Sequence, residues 1–179
     1  MDQLNILVLA GLLLVAVYYD IRSFRIPNKL ILAGLITGLL FNVILPHETG
    51  GLSFQSALAG FGVGLILFLP LYLIRAMGAG DIKLMGMIGI FVGPLPMLLI
   101  ALYTAIAGGI LAVIVLLGNG KLNGLVEFFK ILLLKFQLST IAGNPVTIPI
   151  DQALPKSNSK LPYGVAIAAG TFFYLSTNL

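Results

Sequence analysis

Two aspartates stand at the ends of apolar segments, and they are the first candidates for chemistry in this sequence. Asp20 follows an uncharged run that begins at residue 4, and Asp81 comes directly after Gly78 and Gly80, at the start of another apolar stretch. Ionisable groups at membrane depth are costly and tend to face a cavity or a partner. Two carboxyl groups in a semi-dry pocket share one proton, so one can deprotonate a water while the other polarises a carbonyl. This pattern predicts an aspartic hydrolase.

Other catalytic chemistries find few suitable residues. Cysteine is absent and histidine occurs once, at His47, so disulfides, cysteine-based zinc sites, iron–sulfur clusters and thiol nucleophiles are excluded within these residues. No serine or threonine accompanies a His–Asp pair, and we predict neither a metal nor another cofactor. We expect the remaining acidic residues to be solvated charges: Asp2, Glu48, Glu127 and Asp151.

The composition places the chain in a membrane. Of its 179 residues, 59% are hydrophobic and 9% are charged, whereas soluble domains carry about 25% charged residues. So few charges cannot cover a water-exposed surface. The net charge of +4 is attributed to lysines and arginines that set membrane topology, not to binding of nucleic acid. We therefore predict an all-α integral membrane protein with a single domain, residues 1–179.

Six apolar segments are predicted to lie in the membrane, where a full span needs about 20 residues. Their expected ranges are 4 to about 26, where Pro27 would stop the first helix, and then 30–45, 52–74, 81–92, 95–117 and 161–177. The fourth makes only about 18 Å of helix, so we expect it to begin deep in the membrane beside its glycine-rich loop. The spacing of Gly60 and Gly64 indicates close helix packing. The 121–138 region is too interrupted by charge to span and is predicted to be an interfacial helix.

The basic residues lie on one side of the predicted topology. The loops on the other side, near residues 46–51 and 93–96, contain no lysine or arginine. The positive-inside rule assigns the basic side to the cytoplasm, which puts both chain ends outside and both Asp20 and Asp81 at the cytoplasmic face. The basic side carries Arg22, Arg25, Lys29, Arg75, Lys83 and the lysines between residues 121 and 160.

Four stretches together resemble the type IV prepilin peptidases, which are GxGD-type aspartyl proteases of the bacterial inner membrane. The Gly-x-Gly-Asp pattern alone is weak in a glycine-rich chain, but its combination with the other stretches is specific. They are Tyr19-Asp20, Arg25-Ile26-Pro27-Asn28, Gly78-Ala79-Gly80-Asp81-Ile82-Lys83-Leu84 and Leu161-Pro162-Tyr163-Gly164.

The resemblance implies a function and a set of site residues. It implies removal of a short basic leader peptide from prepilins or pseudopilins, after a glycine and on the cytoplasmic side of the inner membrane. Asp20 and Asp81 would be the catalytic pair. The supporting residues would be Gly78, Gly80 and Lys83 in the active-site loop, with Pro162, Tyr163 and Gly164 as possible substrate-binding residues.

The chain departs from the larger members of that family. Those carry an insertion with paired Cys-x-x-Cys motifs near the N-terminus and also methylate the new N-terminus of the pilin. Here Asp20 arrives after one predicted span and no cysteine is present. The resemblance is therefore to the short, single-function branch found in Flp/Tad pilus systems, and methyltransferase activity is not expected. The oligomeric state is left open.

Several alternatives remain at this point. Intramembrane carboxylates and a broken helix also occur in proton-coupled transporter subunits. Tyr19-Asp20 and Gly-x-Gly-Asp also fit proteases of the signal-peptide-peptidase type. Lys83 could hold the geometry of the aspartate pair or act only as a topology-setting charge, and each aspartate could simply pair with Arg22, Arg25 or Lys83. Asn28 is predicted to cap the second helix.

Overall fold

The computed structural model describes residues 3–44, 52–73, 77–118 and 162–178, and these are helical apart from short connections. The elements are α1 (Gln3–Ser23), α2 (Asn28–Ile44), α3 (Phe54–Leu73), α4 (Ala79–Val92), α5 (Pro94–Gly118) and α6 (Tyr163–Asn178). Within these ranges there is no strand, so the all-α fold is confirmed. The predicted interfacial helix at 121–138 lies outside the described residues.

Three helices are long and apolar enough to cross a membrane: Gln3–Ser23, Phe54–Leu73 and Pro94–Val115. A shorter apolar helix covers Asn28–Asn42. The remaining two, α4 and α6, have 14 and 16 residues. A membrane protein is therefore supported by helix length and composition, while the number of six membrane segments stays a prediction.

The first helix ends earlier than predicted. Pro27 was expected to stop it near residue 26, but α1 ends at Ser23 because Phe24 adopts a left-handed backbone conformation, with a φ of 50°. The Ser23 hydroxyl donates to the Tyr19 carbonyl at 2.8 Å and to the Arg25 carbonyl at 3.2 Å, which satisfies acceptors at this helix end. The linker that follows is available to line a site.

Helix α4 forms the centre of the packing. It contacts α1, α2, α3 and α6, and every residue from 84 to 92 is buried. After Lys83, α4 is apolar on every face, which is typical of a helix buried in a protein core. A buried helix does not have to span the bilayer, so a length of 14 residues is sufficient for α4. Gly93, at a φ of 83°, ends α4 and allows Pro94 to begin α5 immediately.

Glycines set the closest helix contacts, as the spacing of Gly60 and Gly64 predicted. A Cβ atom at Gly60 would collide with the backbone of Gly89, and one at Gly64 would lie 2.5 Å from the Met85 carbonyl oxygen. Helices α3 and α4 can therefore approach to backbone contact. Gly62, between these two positions, would meet nothing within 4 Å.

Contacts between Cα atoms divide the chain into two compact units, residues 1–110 with 162–179 and residues 111–161. The described residues of the second unit, 111–118, form the last turns of α5. The prediction of a single domain stays a prediction. All of the candidate site residues belong to the first unit.

Candidate active site

A cleft of about 330 Å³ opens where the α1–α2 linker faces the first turn of α4. Clefts of this size are typical of small-molecule and substrate sites. It contains both aspartates, both glycines of the loop and three basic or amide side chains from the sequence motifs. The lining residues are Asp20, Phe24, Arg25, Ile26, Asn28, Gly78, Ala79, Gly80, Asp81 and Lys83.

Asp81 is held by its own loop. It is the third residue of α4, and only 8% of it is exposed. The Gly78 N–H donates to Asp81 Oδ2 at 3.2 Å, and the Asp81 N–H donates back to the Gly78 carbonyl at 3.2 Å. This reciprocal pair is the backbone version of a capping box, and it keeps the carboxylate at the N-terminus of α4, where an anion is favoured.

Asp20 is held by a distant part of the chain. It lies in the last turn of α1 with 4% of its surface exposed. The Gly164 N–H, in the first turn of α6, donates to Asp20 Oδ2 at 2.7 Å. The last turn of α1 and the first turn of α6 are thus joined through this carboxylate.

The two carboxylates line the same cleft. Among the described residues neither is paired with a lysine or arginine; their hydrogen-bond donors are backbone N–H groups. The alternative in which each aspartate pairs with Arg22, Arg25 or Lys83 is therefore not supported. Two such groups that share one proton can bind a water between them and supply both an acid and a base.

Lys83 does not contact either aspartate. Its Nζ donates to Asn28 Oδ1 at 3.1 Å, across the cleft mouth from α4 to the start of α2. Asn28 is therefore not the N-cap that was predicted: it is the first residue of α2, and the Pro27 carbonyl accepts from the Leu30 N–H at 3.0 Å. The side chain of Asn28 is engaged by Lys83 instead of the helix end.

The two loop glycines are close to protein atoms. A Cβ at Gly80 would lie 3.4 Å from the Ile26 Cβ, and a Cβ at Gly78 would lie 3.1 Å from Asp81 Oδ2. The Gly80 position is in ordinary van der Waals contact with the buried Ile26, whereas the lack of a side chain at Gly78 leaves room for the Asp81 carboxylate.

Pro162, Tyr163 and Gly164 do not line the cleft. Gly164 instead donates its N–H to Asp20, and Tyr163 is half-buried. The Pro162 carbonyl accepts from the Val165 N–H at 3.2 Å, so Pro162 precedes the first turn of α6. Their predicted contact with substrate stays a prediction.

Sequence reasoning did not assign site roles to Phe24, Ile26 or Ala79, which also line the cleft. Ile26 and Ala79 lie inside the quoted motifs, so motif membership could have indicated them. Nothing in the residue type of Phe24 points to the site, because its place there depends on the left-handed turn that ends α1.

No group of three or more His, Asp or Glu side chains that could hold a metal ion occurs in the part of the chain that the structure describes. The expected absence of a metal stays a prediction.

Comparison with known proteins identifies a family. Residues 7–113, more than half of the chain, match the model of the type IV leader peptidase family. A prepilin leader peptidase/N-methyltransferase from Myxococcus xanthus (strain DK1622) is 27% identical over 122 residues, which cover 64% of this chain and 35% of that protein. One of the same name from Aeromonas salmonicida (strain A449) is 26% identical over 145 residues, which cover 79% of this chain and 50% of the relative. The chain thus spans about a third to a half of the length of these curated relatives. No solved structure gives a significant match.

Proposed function

Because the chain belongs to the type IV leader peptidase family, we propose that it is a membrane-embedded aspartyl endopeptidase that removes the leader peptide from prepilins or pseudopilins. The relatives are named for that reaction. One observation carries the mechanistic part: two buried aspartates from different helices, Asp20 and Asp81, line the same cleft. A role as a membrane scaffold would not need such a pair.

The proposed reaction is hydrolysis of one peptide bond by an activated water. The ionised carboxylate takes a proton from the water, whose oxygen adds to the substrate carbonyl carbon while the protonated carboxyl donates to the carbonyl oxygen. Collapse of the tetrahedral intermediate breaks the C–N bond. One carboxyl group gives its proton to the leaving amine, while the other carboxylate takes a proton from a hydroxyl of the intermediate, which becomes the new carboxyl group. The pair then again holds one proton. Which aspartate begins as the base is a property of the coupled pair.

We place the cleft at the cytoplasmic face of the inner membrane. Its rim carries exposed basic side chains, and the positive-inside rule assigns such residues to the cytoplasmic side. A prepilin could present its leader there while its hydrophobic helix stays in the bilayer. The exposed basic residues near the cleft are Arg22, Arg25, Lys29 and Lys83.

We further propose that the chain does not methylate the mature pilin, although the two relatives carry N-methyltransferase in their names. This part of the proposal comes from the resemblance to the short branch of the family. It is tested by the product, because mass spectrometry distinguishes an unmodified new N-terminus from one that carries a methyl group.

The experiment is a cleavage assay in membranes with a prepilin that has a basic leader and a glycine before its hydrophobic helix. Wild type should release the leader, and Asp20→Asn and Asp81→Asn should each lower kcat by at least about 1,000-fold, because a single amide can replace neither half of the acid–base pair. Asp151→Asn, an acid outside the proposed pair, serves as the matched control and should cleave normally.

Two outcomes would contradict the proposal. If either active-site variant cleaves at the wild-type rate, the two-aspartate mechanism is wrong. The second outcome has two parts: folded wild-type protein cleaves no prepilin, and Asp20 and Asp81 are required for proton-coupled uptake of a solute. In that case the transporter alternative replaces the peptidase. Thermal unfolding of each purified variant shows whether a silent enzyme is folded.

A further inference from the structure

The two aspartates differ in how their carboxylates are anchored. Asp81 depends on Gly78, three residues away in its own loop, through a hydrogen bond of 3.2 Å. Asp20 depends on Gly164, 144 residues away, through a hydrogen bond of 2.7 Å that is buried. Short bonds from N–H groups to a carboxylate are among the stronger hydrogen bonds in proteins. The orientation of Asp20 is therefore coupled to the position of α6.

The lack of a side chain at Gly164 is needed for this contact. An ideal Cβ built at residue 164 would lie 2.8 Å from Asp20 Oδ2 and 3.0 Å from both Cγ and Cβ of Asp20. Real Cβ atoms essentially never approach other atoms to less than 3.0 Å. The carboxylate occupies the place of the missing side chain, so any substitution has to displace Asp20 or the start of α6.

The amide of Gly164 is available because of its place in the helix. The first N–H groups of an α-helix have no partner within the helix, and the N-terminus carries a partial positive charge that favours an anion. The first turn of α6 thus supplies a hydrogen-bond donor to the Asp20 carboxylate.

We propose that Gly164 is a positioning residue, which orients Asp20 toward Asp81 by donating its N–H and by leaving space for the carboxylate. This inference rests on the proposed two-aspartate function. It replaces the interpretation of Gly164 as a substrate-binding residue, since Gly164 lies behind Asp20 and does not line the cleft.

The test compares three glycine-to-alanine variants in the prepilin cleavage assay. Gly164→Ala should lower kcat by roughly 100-fold, because a displacement of about 1 Å in a catalytic group has an effect of that size, while KM stays within about twofold. Gly11→Ala is the neutral control on α1, because a Cβ there meets nothing within 4 Å. It should match wild type.

Gly170→Ala is the control for packing. It lies on the same helix, and its Cβ would meet the Thr104 backbone nitrogen at 2.5 Å without contacting Asp20. It should lower the melting temperature at least as much as Gly164→Ala does. Its kcat should nevertheless be at least about tenfold higher than that of Gly164→Ala. A purely structural role for Gly164 predicts instead that loss of kcat follows loss of stability in both variants.

Each contrary result has a separate meaning. A raised KM with unchanged kcat would show that Gly164 contacts the substrate, and parallel losses in Gly164→Ala and Gly170→Ala would show a packing role; either overturns the inference. Inactive wild type would defeat the proposed function itself. In that case, or if Gly164→Ala does not fold, amide hydrogen exchange decides the question without any cleavage.

Hydrogen exchange of the Gly164 amide is measured by NMR on detergent-solubilised wild type and Asp20→Ala. We expect exchange at Gly164 to become at least about tenfold faster in the variant, because the amide loses its acceptor, while exchange at Ile167 further along α6 is unchanged. An unchanged Gly164 rate would contradict the anchoring contact, whatever the enzyme's activity.

Discussion

At the scale of single residues, Lys83 and Asn28 define the mouth of the cleft. The Lys83 ammonium donates to the Asn28 side-chain oxygen at 3.1 Å, and both residues are exposed. The bond joins the N-terminal part of α4, which carries Asp81, to the start of α2. We predict that Lys83 contributes to the site by holding these two elements together near the carboxylates.

A double-mutant cycle measures this link. We expect Lys83→Met and Asn28→Ala each to destabilise the protein slightly, with a coupling of about 0.5 kcal/mol between them, a size common for exposed polar pairs. Unfolding of the detergent-solubilised protein in increasing denaturant provides the free energies. Strict additivity of the two substitutions would show that the contact contributes nothing to stability.

At the scale of elements, the placement of Asp81 depends on how closely α3 packs against α4. Gly60 on α3 and Gly89 on α4 meet at their backbones, and a Cβ atom on either would collide with the other. Neither collision can be relieved by rotating a side chain, because the obstructing atoms are backbone. The two helices must separate if either glycine is replaced.

Gly60→Ala should therefore destabilise the protein by roughly 2 kcal/mol, within the range for overpacked sites. Gly62→Ala is the matched control on the same helix, since its Cβ meets nothing within 4 Å, and it should be neutral. Thermal unfolding compares the two variants. A Gly60→Ala protein as stable as the control would mean that α3 and α4 are not in backbone contact.

At the scale of the whole molecule, basic and apolar surfaces are separated along the chain. Large apolar side chains are exposed along α1, α3 and α5, as expected for helices that face lipid. Among the described residues, the basic side chains lie at the cleft end. At the far end of α2, Asn42 accepts from the Leu52 N–H at 3.0 Å, which places the start of α3 about 20 Å from the cleft.

This separation predicts which ends of the helices face the cytoplasm. The chain has no cysteine, so single cysteines can be introduced without background labelling. In intact spheroplasts, a membrane-impermeant maleimide should label Gln55→Cys at the start of α3 but should label Ser23→Cys at the cleft end only after permeabilisation. The reverse pattern would place the cleft outside the cell and contradict the proposed handling of prepilin leaders.

Much of the fold could be predicted from the sequence, because hydropathy and the residues that start or end helices are local properties of the chain. The apolar runs located the described helices to within a few residues, and Gly93-Pro94 marked the turn after α4. The end of α1 was misplaced, since Pro27 gave a visible stop signal whereas the left-handed conformation of Phe24 has none in its residue type.

The same division applies to the site. Residue types and motif spacing indicated Asp20, Asp81 and the glycine loop as candidates, because few groups in an apolar chain can carry acid–base chemistry. Their catalytic role stays a prediction. Only the tertiary structure decided that Gly164 holds Asp20 and that Lys83 binds Asn28. A backbone N–H is the same in every residue except proline, so its partner across 144 residues depends on how α1 and α6 pack, which no local pattern records.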